Sequence, residues 1–202
     1  MINNVVFDLG NVLISFDPEQ YLIMKNYPPG IRNTILNDIF HSEEWLKLDN
    51  GDITTKEATD SIASRSVLKR EEISVVFNFR SDIMYPIDSN VQLLPALKKN
   101  NIKLYYLSNF PLDVFDEIKS DYYFFRYFDG GIISSEAKLS KPDLRFYKLI
   151  MDKYALVPDE SLYIDDLEIN VRAAEAAGMK GFSTFGNQNI APDILNIIAS
   201  YK

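Results

Sequence analysis

Val5-Val6-Phe7 run straight into a single carboxylate, Asp8, and Gly10-Asn11 follow at once. This short stretch restricts the fold more than any other. An unbroken apolar run bounded by turn residues reads as a strand buried on both faces, the kind found in parallel sheets covered by helices. Asp8 then stands at the carboxyl end of that strand, where open α/β sheets keep their ligand crevices. A carboxylate is costly to bury there unless it is paired or bound to metal. The ordinary structural readings are a helix cap or a salt-bridged core acid.

The remainder divides into two kinds of pattern. From Asp17 to about Asp82 every apolar periodicity is helical, with Ile31, Ile35 and Ile39 at i, i+4 and i+8 and with Ile73, Val76, Phe77 and Arg80 on one face. Thr54-Thr55-Lys56-Glu57 is a capping-box signature for a helix carrying Ala58 and Ile62. Pro28-Pro29-Gly30 and Asn50-Gly51-Asp52 mark turns between helices, and 84–88 reads as a linker.

From Ser89 onward strands and helices alternate. Strands are expected at 102–107, 131–133, 161–164 and 180–184. Between and beyond them lie helices at 90–99, at about 112–119, around Phe146, Ile150 and Tyr154, around Ile169, Ala173, Ala176 and Ala177, and from Ala191-Pro192 with Ile194, Leu195, Ile198 and Tyr201. Gly178 is placed to stop the fourth of these helices. Such alternation predicts an α/β protein: a Rossmann-like parallel sheet core from residues 1–15 and 85–202, with a small helical cap, 16–84, inserted after the first strand.

A formal charge of −8 argues against a nucleic-acid surface, which needs a clustered positive footprint. The absence of cysteine removes disulfides and thiolate zinc sites and fits a reducing compartment. No run approaches the ~18 apolar residues of a membrane span, and no basic segment precedes the first apolar run, so a cytoplasmic protein is expected.

Several expected strands end in polar residues: Asp8 after the first, Ser108-Asn109 after the second, Asp165-Asp166 after the fourth. In a parallel sheet these ends share one edge, and Lys141, in the loop after the third strand, is able to reach it. Adjacent carboxylates repel unless a cation holds them, and hard oxygen ligands favour Mg2+. Mg2+ with Ser, Asn and Lys donors suits a phosphoryl group, and an aspartate beside that group can serve as a covalent nucleophile.

Phe7-Asp8-Leu9-Gly10-Asn11-Val12-Leu13, Leu107-Ser108-Asn109, Ser140-Lys141-Pro142-Asp143 and Tyr163-Ile164-Asp165-Asp166 resemble the four ordered motifs of the haloacid dehalogenase superfamily. The insertion sits where that superfamily places its first type of cap. Within it, the Asp-Leu-Gly-Asn sequence is most similar to the α-D-glucose-1-phosphatase-like phosphatases. The resemblance implies Mg2+-dependent hydrolysis of a small phosphorylated metabolite, with sugar phosphates the expected class. It implies that Asp8 attacks phosphorus, that Ser108 and the backbone of Asn109 hold the phosphoryl oxygens, and that Lys141 neutralises both Asp8 and the transferring group. Asp8, the Gly10 carbonyl, Asp165 and Asp166 are implied around the metal, with Asp165 as ligand or just behind it, and Asp143 and Asn170 are implied further out.

One position departs from the pattern. Most phosphatases of the superfamily carry a second aspartate two residues after the nucleophile as general acid and base; here that residue is Gly10. A backbone carbonyl still binds metal, but the side-chain proton donor is lost, and such donors are typically worth ~10²–10⁴ in rate. Slow turnover, a good leaving group or a proton donor from the cap are the ways to meet that loss. Dehalogenases of the superfamily also lack the second aspartate, so attack of Asp8 on carbon is one alternative and a non-catalytic phosphometabolite-binding module is the other. His41, the only histidine, reads first as a surface or helix-terminal residue, with a place facing the crevice from the cap as the alternative. Phe16, Tyr21 and Trp45 read first as core of the insertion, with shaping of the substrate pocket as the alternative. The aromatic run 122–128 reads as packing against the sheet.

Overall fold

In the computed structural model residues 1–185 and 189–201 are described. The strands are β1 (Asn4–Phe7), β2 (Ile14–Phe16), β3 (Met84–Pro86), β4 (Lys103–Ser108), β5 (Gly130–Ile133), β6 (Ser161–Asp165) and β7 (Lys180–Ser183). Five of them form a parallel sheet in the order β5-β4-β1-β6-β7. β1 is therefore central, with Phe7 in register with Tyr106 on one side and Ile164 on the other.

Alternation along the strands sorts their side chains to two faces. Val5, Phe7, Leu104, Tyr106, Leu162 and Ile164 pack into one apolar cluster, and Val6, Tyr105, Leu107 and Tyr163 into a second. The helices are α1 (Pro18–Met24), α2 (Pro29–Ile35), α3 (Glu43–Asp49), α4 (Thr55–Ala63), α5 (Arg70–Asn78), α6 (Asp88–Val91), α7 (Leu93–Lys99), α8 (Leu112–Asp121), α9 (Ser134–Ala137), α10 (Leu144–Tyr154), α11 (Glu168–Ala176) and α12 (Ala191–Ser200). α7, α8 and α12 cover the first face with Leu94, Leu97, Phe115, Ile118, Ile194 and Ile198. α10 and α11 cover the second with Phe146, Tyr147, Ile150, Met151 and Ala174. A parallel sheet with helices on both faces is the α/β architecture read from the alternating pattern. The expected capping box opens α4, where Thr54 and Glu57 satisfy each other's backbone N–H groups. Gly178 follows α11 at φ 96°, a conformation that favours glycine. Phe124 and Phe125 of the aromatic run are buried in the first cluster.

α1 to α5 lie in sequence between β2 and β3, and their apolar residues (among them Leu22, Ile35, Ile39, Ile62 and Phe77) continue the first cluster. β2 and β3 pair antiparallel at the base of this excursion, with Ser15 opposite Tyr85. Met84–Pro86 is thus a strand, where a linker was expected. Three-residue strands carry too little alternation to be read, and the ribbon is set by Asn11, at φ 53°, whose Oδ1 accepts from the Phe16 N–H at 3.1 Å.

Three helix faces also differ from expectation. Ile31, in the first turn of α2, is 40% exposed, while Ile35 and Ile39 of the same expected stripe are buried. α11 buries Asn170, Val171 and Ala174 and leaves Ile169 61% exposed. Polar bonds turn that helix: Asn170 Nδ2 donates to Asp165 at 3.0 Å, and the Asn170 carbonyl accepts from Tyr147 Oη at 3.0 Å. α12 buries Ile194 and Ile198 and leaves Leu195 and Tyr201 exposed, a narrow i, i+4 stripe. The segment expected as one helix over 90–99 is broken between α6 and α7, since Pro95 has no N–H for the Val91 carbonyl. No helix among the described residues is long and apolar enough to cross a membrane.

Candidate active site

The sheet brings the carboxyl ends of β1, β4 and β6 side by side. Asp8 follows β1 and is fixed by its N–H, which donates to the Ile164 carbonyl of β6 at 2.8 Å. Its Oδ1 accepts from the Leu9 N–H at 2.7 Å, from Ser108 Oγ at 2.7 Å and from Lys141 Nζ at 2.8 Å. Its Oδ2 takes no hydrogen bond among the described residues, which leaves one oxygen open.

Lys141 reaches this edge through the loop before α10. Asn109 holds the lysine's backbone from both sides: its Oδ1 accepts from the Lys141 N–H at 2.9 Å and its Nδ2 donates to the Lys141 carbonyl at 3.2 Å. The Asn109 side chain is therefore spent on placing Lys141, and its backbone N–H takes no protein acceptor among the described residues. The Lys141 side chain is only 2% exposed and its Nζ lies 2.8 Å from both Asp8 Oδ1 and Asp165 Oδ2. Burial works against its charge, but Asp8 and Asp165 prevail and hold it above the ordinary lysine range.

Asp165 is fully committed within the protein. Oδ2 accepts from Lys141 and from Tyr163 Oη at 2.5 Å; Oδ1 accepts from the Leu167 N–H at 2.9 Å and from Asn170 Nδ2 at 3.0 Å. Burial alone would raise its pKa, but Lys141 and these donors hold it below the usual carboxylate value. Asp166 is freer: one oxygen meets Asn11 Nδ2 at 3.4 Å, and burial with the neighbouring Asp165 raises its pKa. Burial also raises Asp8, to about 6, helped by Asp165 and opposed by Lys141 and Ser108. Asp8, Asp165 and Asp166 each offer a carboxylate oxygen within 4.8 Å of the others. Three carboxylates against one ammonium leave an excess of negative charge when all are ionised, which suits a divalent cation. Gly10 lines the same cleft and its carbonyl accepts no hydrogen bond among the described residues, which leaves a fourth hard oxygen available. Since the oxygens of Asp165 are taken, Asp8, Asp166 and the Gly10 carbonyl are the groups free to hold an ion.

The cleft has a volume of about 180 Å3. Its polar floor is Asp8, Gly10, Asn11, Asn109 and Asp166. Its wall is apolar, from Ile14, Phe16, Trp45, Met84, Phe110, Pro111 and Leu167. Phe16 and Trp45 stack with ring centroids 5.8 Å apart and line the cleft, the pocket-shaping alternative to their reading as core of the insertion. His41 is exposed and is not among the lining residues, and Tyr21 lines a different depression with Asp17 and Tyr85. Asp143 caps α10 and pairs with Arg145. The sequence reading missed Asp49, the last residue of α3, which lines the same cleft as Asp8. Its only signal was the turn at Asn50-Gly51, which marks a helix end without saying where that end is seated.

A family model for haloacid dehalogenase-like hydrolases matches residues 2–178, and the chain belongs to that family. Among curated proteins it is similar to the sesquiterpene phosphatase astK of Aspergillus oryzae, 28% identical over 178 residues, covering 87% of this chain and 86% of that protein. It is also similar to a phosphorylated carbohydrates phosphatase of Thermotoga maritima, 23% identical over 179 residues, covering 87% of this chain and 82% of that protein. Among solved structures, a haloacid dehalogenase family enzyme from Bacteroides thetaiotaomicron, in complex with magnesium and inorganic phosphate, superposes with a TM-score of 0.70 at 24% identity over 91% of this chain and 94% of that one. That likeness shows the fold.

Proposed function

We propose that this hydrolase is a Mg2+-dependent phosphatase acting on a small phosphomonoester through an aspartyl-phosphate on Asp8. The observation that carries the reading is the buried Lys141 ammonium, 2.8 Å from both Asp8 and Asp165, beside the Ser108 hydroxyl 2.7 Å from Asp8. Ser108, the Asn109 backbone N–H and Lys141 together form a ready cradle for phosphoryl oxygens. Asp8, Asp166 and the Gly10 carbonyl would hold Mg2+, with Asp165 keeping Lys141 and Asn170 in place behind them. When bound, the ion supplies positive charge to the phosphoryl group and neutralises the acidic cluster. Asp8 attacks phosphorus, Lys141 offsets the charge that gathers on the transferred group, and water later cleaves the acyl phosphate to return Asp8.

Residues 16–84 act in this reading as a cap on the core of 1–15 and 85–202, a role supported by the cleft's composition. Trp45 and Asp49 come from the insertion, and Asp8, Asn109 and Asp166 from the sheet edge. Closing such a cap excludes water during the first transfer. A sugar phosphate fits the apolar wall through the C–H face of its ring, and the likeness to the Thermotoga enzyme supports that class. The same wall favours a second reading, an isoprenoid phosphate, in line with the Aspergillus relative. Attack on a haloacid carbon would leave Asp166 and the free carbonyl of Gly10 without a task.

The test is phosphate release from sugar, nucleotide and isoprenoid monophosphates, with and without Mg2+, by wild type and Asp8→Asn. Release that needs both Mg2+ and Asp8 is the expected result. Undiminished release by Asp8→Asn, or binding of Mg2+ and phosphate with no turnover of any substrate, would overturn it.

A further inference from the structure

We propose that Asp49 is the general acid and base of this reaction, doing from the insertion what the side chain two residues after the nucleophile does in most phosphatases of the family. The proposal rests on the phosphatase reading above. Gly10 occupies that position here and presents only a carbonyl.

The cleft holds three carboxylates among its described lining residues: Asp8, Asp166 and Asp49. The first two belong to the acidic cluster, and Asp49 does not. Its carboxylate makes no hydrogen bond or ion pair among the described residues, although its neighbours in the molecule are amply bonded. It also ends α3, where the helix dipole disfavours negative charge, so stability gives no reason for an aspartate there. A side chain held at an unfavourable place, unpaired and lining the same cleft as the nucleophile, marks a functional group.

The end of α3 is fastened over the cleft rather than left free. The Asp49 carbonyl accepts from Ser134 Oγ, which in turn accepts from the Phe110 N–H at 2.9 Å. Two residues on, the Gly51 carbonyl accepts from Lys138 Nζ. These bonds tie the insertion to Phe110 after β4 and to α9 and Lys138 after β5, and so fix the end of α3 at the cleft that Asp49 and Asp8 both line. Burial is the main cause that raises its pKa, to about 7, with Asp8 adding to the rise and Arg80 and Lys141 opposing it. A carboxyl in that range is able to give and take a proton near neutral pH.

In the first step an Asp8 oxygen bonds to phosphorus and the ester P–O bond breaks. The bonding pair goes to the departing oxygen, which takes the proton of Asp49 and leaves as the alcohol. In the second step the Asp49 carboxylate takes a proton from water as the water oxygen bonds to phosphorus. The P–O bond to Asp8 then breaks, inorganic phosphate leaves, and Asp49 is again protonated.

The experiment compares single-turnover release of phenol and of 2,4-dinitrophenol from their phosphates, with saturating Mg2+, by wild type and Asp49→Asn. The good leaving group needs no proton. Asp49→Asn is expected to slow phenol release by about 10²–10⁴-fold and dinitrophenol release by less than about tenfold. Equal losses with both esters, or no loss with either, would overturn the assignment. A second measurement needs no variant. Across aryl phosphates of graded acidity the wild-type release rate is expected to vary little with leaving-group pKa, and a steep dependence would overturn it. Wild type that turns over while Asp49→Asn behaves identically defeats this assignment alone; wild type inert on every ester defeats the phosphatase reading itself.

Discussion

Lys141→Met removes the one cation from a buried cluster and leaves its two carboxylate partners in place. In the native protein Lys141 Nζ bridges Asp8 and Asp165, whose side chains are 9% and 0% exposed. Breaking a buried pair by deleting one partner costs about 3–5 kcal/mol, because the remaining charge is uncompensated. For a chain of 202 residues each kcal/mol is worth about 2–4 °C, so Tm at pH 7.5 is expected to fall by about 6–20 °C. The sign of the pH dependence follows from the same charges. Without Lys141 both carboxyls have folded pKa values above their unfolded ones, so the penalty is present when they are ionised and fades as pH falls through the folded pKa. Asp8 already stands at about 6 with the lysine present. The deficit against wild type is therefore expected to be largest at pH 7.5 and to shrink by pH 5. Thermal unfolding of both proteins at the two pH values, in EDTA so that no cation substitutes for the ammonium, gives the comparison. A deficit below about 1 kcal/mol at pH 7.5, or one that does not shrink at pH 5, would refute the electrostatic reasoning.

Thr54→Ala deletes one half of the capping box on α4, and a loss of about 1 kcal/mol is expected by urea unfolding, with turnover unchanged. Gly10 and Gly131 are expected to differ sharply on substitution by alanine. A methyl group at Gly10 meets no heavy atom within 4 Å, so the unfolding free energy should hold to within the ±0.5 kcal/mol usual for unobtrusive changes. At Gly131 the methyl would lie 2.3 Å from the Tyr106 ring, and a cost of about 1–3 kcal/mol is expected in the same assay.

The parts of the site that lie at strand ends were legible in the sequence. Asp8, Ser108, Asp165 and Asp166 each close a short apolar run, and a parallel sheet has no other place to put such residues than one edge. Lys141 was legible by its position between those runs, though the device that seats it, the two hydrogen bonds from Asn109 to its backbone, was not. The hydrogen bonds that occupy both oxygens of Asp165 were also hidden. They come in part from Tyr163, two residues earlier on the same face, and from Asn170, which the resemblance implied near the site although a purely apolar reading of α11 left it off the buried face. Asp49 was invisible for a different reason. Its place over the cleft comes from Ser134 and Lys138, more than eighty residues away, and no local pattern encodes such a contact. Segments of three residues, such as β2 and β3, fail because pairing rather than alternation creates them.

The central claim is a covalent phosphoryl group on Asp8. It is tested most directly by quenching the enzyme in acid during turnover of a phosphomonoester with Mg2+, digesting it, and mapping by mass the peptide that gains one phosphoryl group. The expected result is that gain on the peptide containing Asp8, labile to hydroxylamine and absent from Asp8→Asn. Steady turnover with an unmodified Asp8 peptide, or the same modification in Asp8→Asn, would contradict the claim.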